Sequence, residues 1–260
     1  MPEGLEVEIY RQAAEAVVGR RIETVEIPVA AYARHGASAA IVDSLTGSTI
    51  VGVDRRGKLL LIAHERGRIG LRFGMTGRLL VDGVAPIARL EYSSDRDLPE
   101  WDRFIVDFSK AGSLRIRDPR RLGSVELDPE LSVLGVDMFD VTEGDLEMVL
   151  SSRRAVKASL MDQSVLAGLG NLLTDEILWR AALHPKRPAD SLTGAERTRL
   201  HAELSSTIRE LLQLGGSHMG QLQDQRHDGG VCPKDGNSLE SCAVGGRTTY
   251  SCPQHQRAQE

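Results

Sequence analysis

The chain is short of cysteine, of lysine, of net positive charge and of long apolar runs, and each shortage removes a class of protein. No stretch approaches the roughly 20 consecutive apolar residues that a bilayer span needs. The first residues carry Glu3, Glu6 and Glu8 where a leader would be basic and then apolar, so neither membrane insertion nor export is expected. The three cysteines, Cys232, Cys242 and Cys252, are too few and too clustered for a disulfide framework, which points to a reducing compartment and leaves them available to a metal. With 32 Lys+Arg against 37 Asp+Glu the net charge is −5, which argues against a partner held by bulk electrostatics. A polyanion would have to use short clusters: Arg55-Arg56-Gly57-Lys58, Arg115 to Arg121, or Arg153-Arg154 with Lys157. What the chain does have is 260 residues, 41% hydrophobic and 27% charged, enough for two or three modest globular domains.

Leu5, Ile9, Ala13 and Val17, widened by Tyr10 and Ala14, predict an amphipathic helix directly after Pro2, with acids in its first turns and Gly19-Arg20-Arg21 at its end. From Ile22 to about Leu127 the period shifts toward two, with reversals at Arg56-Gly57, Arg66-Gly67 and Ala111-Gly112, as in an antiparallel sandwich or barrel. Residues 128–141 read as a linker. Helical patterning returns from Thr142, where Asp145 completes a capping-box-like start. A helical stretch from Ser159 to Pro185 is interrupted at Gly168-Leu169-Gly170-Asn171, and a further helix runs from Leu192 to Leu214 and stops at Gly215-Gly216. The expected divisions are 1–127, 128–141, 142–227 and 228–260.

Several groups of residues could carry chemistry. Loss of Met1 would leave the secondary amine of Pro2 as the terminus beside Glu3; such an amine can attack an aldehyde-like carbon, and the carboxyl can act as general acid. Many chains begin Met-Pro-Glu without any chemistry. Lys58, at a hairpin turn, can meet a phosphate or simply be solvated. Asp118-Pro119-Arg120-Arg121-Leu122-Gly123 places cations and an apolar wedge on one loop, suited to a gap in a duplex, and Phe73-Gly74-Met75-Thr76-Gly77-Arg78 could present Met75 likewise. Both also read as ordinary turns. Asn171 and the amides after Gly170 can bind phosphate without net charge, or serve only as an N-cap. In the tail, Cys232-Pro-Lys-Asp235 and Cys252-Pro-Gln-His255 form two knuckles around a Gly245-Gly246-Arg247 turn. That spacing suits a ribbon holding Zn²⁺ through Cys232, Asp235, Cys252 and His255, with Cys242 an alternative to Asp235 and a metal-free hairpin an alternative to both.

Taken in order, Met1-Pro2-Glu3-Gly4, Arg56-Gly57-Lys58, Gly74-Met75-Thr76-Gly77, Asp118 to Gly123, Leu160-Met161-Asp162-Gln163 through Asn171 to His184-Pro185, and Gly246-Arg247-Thr248 resemble the formamidopyrimidine-DNA glycosylase and endonuclease VIII family over almost the whole chain. The resemblance implies an α+β multidomain protein: an N-terminal helix with an antiparallel β-sandwich, a helix–two-turns–helix DNA-binding domain, and a C-terminal zinc-ribbon-like β-hairpin. It implies a base-excision repair glycosylase with abasic-site lyase activity, acting on damaged double-stranded DNA, monomeric and located in a bacterial-type cytoplasm at the nucleoid. In that scheme Pro2 attacks C1′, Glu3 assists ring opening, and Lys58 contacts the lesion-side phosphate. Asn171 and Arg247 clamp phosphates, Met75, Arg120 and Leu122 fill the gap left by the everted nucleotide, and one structural zinc is the cofactor. Leu122 stands where one branch of the family commonly has an aromatic, and only about 16 residues separate Gly215 from Cys232. Both favour oxidised pyrimidines and abasic sites over 8-oxoguanine. A non-catalytic paralogue that recognises damaged, bent or gapped duplex is the alternative.

Overall fold

Helix α1 spans Gly4–Ala14, and Glu6 accepts a hydrogen bond from the backbone N–H of Glu3 at 2.7 Å, tying down its first turn. Its deepest side chains are Leu5, Val7, Tyr10 and Ala14, continued by Val17 in the 3₁₀ turn that follows, while Ile9 and Ala13 are only partly covered. The buried face therefore follows the 3.6-residue period rather than the four-residue repeat most visible in the sequence. The computed structural model describes residues 2–88, 90–91, 96 and 98–257, and the chain divides into two units, 1–131 and 132–260.

In the first unit the strands are β1 (Ile22–Glu26), β2 (Ile50–Arg56), β3 (Leu59–His64), β4 (Gly67–Arg72), β5 (Arg78–Val81), β6 (Asp102–Phe108), β7 (Ser113–Arg117) and β8 (Ser124–Leu127). They form two antiparallel sheets, ordered β1-β6-β7-β5 and β2-β3-β4-β8. One core joins them: Val25, Leu79, Phe104 and Leu114 from the first sheet, Leu60, Ile62 and Leu71 from the second, and Tyr10 from α1. Each such side chain contributes roughly 1.5–3 kcal/mol by leaving water. All three expected reversals occur. The β2–β3 hairpin turns on Gly57-Lys58, with Gly57 at φ 58 and Arg56 opposite Leu59, so the lysine follows a residue in the left-handed region. A helix within the strand-rich stretch, α2 (Ser38–Leu45), is not visible as a period; only Ile41 and Leu45 of it are buried.

The second unit begins inside the expected linker. Strand β9 (Val136–Asp137) pairs in parallel with β10 (Leu166–Ala167), so these residues belong to a folded body. Helix α3 (Glu143–Val149) is capped reciprocally by Thr142 and Asp145. Helix α4 (Val156–Leu160) is far shorter than the apolar pattern suggests. Asp162 accepts from the backbone N–H and hydroxyl of Ser164 at 3.1 and 2.6 Å, and Leu166-Ala167 then bond to β9 instead of prolonging the helix. Helix α5 (Asn171–Arg180) and helix α6 (Gly194–Leu214) follow, the latter closed by Gly215 at φ 110. The hairpin β11 (Glu240–Val244) and β12 (Arg247–Ser251) turns on Gly245-Gly246. Among the described residues no helix is long and apolar enough to cross a membrane.

The start of α6 carries a pH-dependent lock. Arg187 donates to both oxygens of Glu196, and with the Thr193 backbone N–H and hydroxyl it holds that carboxyl at about 2, below its ordinary 4.5, against partial burial. A depressed carboxylate stabilises the fold above its ordinary value and loses the contribution as pH falls through the folded value. The stability difference between wild type and Glu196→Gln should be constant above pH 4.5 and vanish toward pH 2. Its plateau should be about 1–2 kcal/mol after solvent screening, read from denaturant midpoints across pH.

Candidate active site, clamp residues and metal cluster

Within the first unit, Pro2 and Lys58 line one cavity of about 250 Å³, together with Arg34, Arg72, Gly74 and Leu122. Glu3, next to Pro2, is fully buried. Thus the helix start places Pro2, and the β2–β3 turn delivers Lys58 to the same space. Arg34 and Arg72 carry no motif and were not legible in the sequence. They are set by Glu126 of β8, which accepts from Arg34 Nη1 at 3.1 Å and from Arg72 Nε at 3.0 Å. Arg34, Arg72 and Lys58 all line this cavity, and guanidinium and ammonium groups are the donors that meet a phosphate.

The two expected wedge loops lie against each other. Arg120 Nη1 reaches Met75 Sδ at 3.8 Å, and Leu122 remains 48% exposed, so the apolar tip is available. Gly74 has φ 58, and a Cβ there would overlap the Leu122 carbonyl, which explains the glycine beside Met75. Both loops are anchored by a residue the sequence did not single out in that role. Asp118, fully buried, accepts from Thr76 Oγ1 at 2.5 Å, from the Gly123 backbone N–H at 2.8 Å and from the Tyr32 hydroxyl at 3.5 Å. Burial, and then the Asp118 carboxylate, push the Tyr32 hydroxyl pKa upward, so Tyr32 stays a donor. Asp118→Ala should cost about 2–3 kcal/mol by thermal or urea unfolding, because the Gly123 N–H and Thr76 hydroxyl lose a charged acceptor. Asp118→Asn, which keeps one acceptor, should recover part of that.

The Arg clusters of the sequence separate on inspection. Arg55 pairs with Glu8 at 3.3 Å and donates to the Gly57 carbonyl, bracing the turn that carries Lys58. Arg115 and Arg117 pair with Asp102 along the sheet, leaving Arg120 and Arg121 as the exposed members of that run. Lys157, grouped in the sequence with Arg153 and Arg154, is fully buried and belongs to no surface patch. Its Nζ donates at 2.7 Å to Asn171 Oδ1 and to Thr249 Oγ1 and forms an ion pair with Asp175 at 2.7 Å.

That network organises the second unit. Asn171 opens α5, and its Nδ2 donates to the Thr248 carbonyl at 3.0 Å, beside Arg247, which is exposed at the hairpin turn. The two expected clamps are therefore neighbours. Asp175 also pairs with Arg226 and accepts from the Tyr250 N–H at 3.3 Å. Gln163 stitches the preceding loop: it donates to the Met161 and Leu169 carbonyls and accepts from the Gly168 N–H.

In the tail, Cys232, Asp235 and Cys252 come together, their ligand atoms all within 4.8 Å of one another. A tetrahedral Zn²⁺ with sulfur at about 2.3 Å spans a ligand edge of about 3.8 Å, so two sulfurs and a carboxylate at this spacing fit the ion. His255 does not join them; its Nε2 donates to the Trp179 carbonyl at 2.7 Å. Cys242 does not either, because it sits opposite Thr249 in the hairpin ladder. The Asn237 backbone N–H and the neighbouring thiols hold Asp235 at about 2, and burial with the Asp235 carboxylate pushes Cys252 up to about 11. A divalent cation is the charge that would let the Cys252 thiol ionise beside that carboxylate.

Residues 1–125 match the family model for the formamidopyrimidine-DNA glycosylase N-terminal domain, and residues 137–223 match that for its H2TH domain. The chain is 31% identical to the formamidopyrimidine-DNA glycosylase of an Exiguobacterium species, covering 99% of this chain and 100% of the relative. It is 35% identical to that of Salinispora arenicola, covering 98% and 96%. A Lactococcus lactis enzyme of that name in complex with DNA containing Fapy-dG superposes with a TM-score of 0.83 at 26% identity, covering 98% of this chain and 99% of that one. Its complex with abasic-site DNA gives 0.82, also at 26% identity, covering 98% and 100%. With these matches spanning both units, the chain belongs to the formamidopyrimidine-DNA glycosylase family.

Proposed function

We propose that this protein excises damaged bases from double-stranded DNA and cuts the strand at the resulting abasic site. The observation that carries the reading is the shared cavity of Pro2 and Lys58, with Glu3 buried alongside. With Met1 removed, the Pro2 amine attacks C1′ of the damaged nucleotide and the base leaves with the C1′–N bonding pair, so that C1′ is bonded to both the Pro2 nitrogen and O4′. Glu3 protonates O4′ as the C1′–O4′ bond breaks, which opens the ring to an iminium, and loss of a C2′ proton with departure of the 3′ phosphate then breaks the strand. Lys58, Arg34 and Arg72 receive the lesion-side phosphate. Met75, Arg120 and Leu122 fill the space left by the everted nucleotide, offsetting part of the unstacking cost of a few kcal/mol. In the second unit Asn171 and Arg247 hold backbone phosphates. Borohydride trapping on an abasic-site duplex tests the reading: a covalent adduct is expected, and its absence with intact protein rejects it. If Glu3→Gln binds the duplex and behaves like wild type in every strand-cleavage assay, with neither protein cutting, the non-catalytic alternative is favoured.

Leu122 and the short 215–232 segment support oxidised pyrimidines and abasic sites over 8-oxoguanine. Faster release of 8-oxoguanine than of an oxidised pyrimidine from matched duplexes overturns that preference.

Zinc would be held by Cys232, Asp235 and Cys252, with His255 completing the set once its imidazole leaves the Trp179 carbonyl. When bound, the ion cross-links the two knuckles and performs no chemistry on DNA. Purified protein is expected to carry one zinc per chain by elemental analysis. Cys252→Ser should lose the metal and melt earlier, whereas His255→Ala should retain it with weakened affinity.

A further inference from the structure

At the far end of the first sheet lies a second cavity, of about 760 Å³, a size that suits a small organic ligand. It shares no lining residue with the Pro2 cavity. Strand β7 runs from Ser113, beside this second cavity, to Arg117, which leads into the Asp118–Gly123 loop. Four steps of strand, about 13 Å, therefore separate the two ends of the sheet, so one nucleotide cannot occupy both.

The second cavity has a built floor. The Arg20 guanidinium lies 5.4 Å from the centroid of the buried Phe108 ring. Asp82 grips it with both carboxylate oxygens, at 2.8 and 2.9 Å, and is itself fixed by the Ser113 N–H at 3.0 Å. Gly112, at φ 89, is required here, because a Cβ would run into the Asp82 carboxylate and the guanidinium. Arg20 is thus a planar plate, neutralised by Asp82, backed by an aromatic ring and still 30% exposed. Such a plate stacks a planar ring on its open face. On the rim, Lys110 is exposed and has no ion pair or hydrogen bond among the described residues. Arg21, whose guanidinium lies beside Gly47, adds positive potential. One neutralised plate with positive charge at its edge matches a ring that carries an anion.

We infer that this cavity binds a nucleoside monophosphate, the base stacked on Arg20 and the phosphate paired with Lys110. The probe is deoxyadenosine 5′-monophosphate, titrated into the full chain by calorimetry or ligand-observed NMR. Saturable binding is expected, about tenfold weaker for deoxyadenosine and for inorganic phosphate alone, since each supplies half of the recognition. Lys110→Glu, at an exposed turn, and Arg20→Ala should each weaken binding about tenfold or more with an unchanged circular dichroism spectrum, whereas Lys58→Ala should leave it unaltered. The proposal is overturned by absence of saturable binding, by binding indifferent to both Lys110→Glu and Arg20→Ala, or by binding lost in Lys58→Ala, which would place the nucleotide in the Pro2 cavity.

Discussion

A chain carrying one uncleaved residue ahead of Pro2 is expected to form no borohydride-stable adduct and to nick abasic-site DNA at least about 10³-fold more slowly than the processed form. The reason is local. Acylating the Pro2 nitrogen removes its lone pair from chemistry while leaving Lys58, Arg34, Arg72 and the wedge loops in place. Affinity for a duplex bearing a non-reactive abasic analogue should therefore change far less than the rate. That separation distinguishes loss of the nucleophile from loss of the fold. Glu3→Gln should behave differently again: the amine survives, so an adduct with a preformed abasic site is still expected, while release of an intact damaged base slows. Equal cutting by blocked and processed chains would reject the amine as nucleophile.

The parts of this arrangement that sequence discloses are those fixed by neighbouring residues. The β2–β3 reversal, the capping pair Thr142/Asp145 and the stop at Gly215 each depend on a span of three or four positions. What escaped depends on partners far along the chain. Arg34 and Arg72 reach the cavity because Glu126, 92 and 54 residues on, holds both. Nothing near either arginine marks it. The helical reading from Ser159 runs through 161–167, yet α4 stops at Leu160 and Leu166-Ala167 find a strand partner in Val136-Asp137. For the tail, spacing placed Cys232, Asp235 and Cys252 in one cluster, but a competing acceptor, the Trp179 carbonyl, takes the His255 imidazole. Lys157 shows the same limit most sharply, since adjacency to Arg153 and Arg154 suggests a surface patch while its partners lie 14, 18 and 92 residues away.

Lys157→Met is accordingly expected to destabilise the protein by about 3–5 kcal/mol, measured by denaturant unfolding. The ammonium is buried with Asp175, which is 1% exposed, and its removal leaves a carboxylate served, among the described residues, by Arg226 and the Tyr250 N–H. Asp175→Asn should cost a comparable amount, because the lysine then keeps Asn171 and Thr249 but loses its counter-charge. The double variant should lose less than the sum of the two, since the Lys157–Asp175 pair is lost only once and Arg226 alone is left without its counter-charge. A functional signature should accompany the loss of stability. Lys157 ties Asn171 of α5 to Thr249 of β12, the elements that carry the two residues proposed as clamps, so its removal loosens the placement of Asn171 beside Arg247 and leaves the bond from Asn171 to the Thr248 carbonyl to hold it. In the remaining folded protein, DNA affinity should fall and its dependence on salt should become shallower by about one to two ions, as though one or both phosphate contacts were gone. An unchanged salt slope alongside a large stability loss would make Lys157 purely a packing element and detach it from DNA recognition.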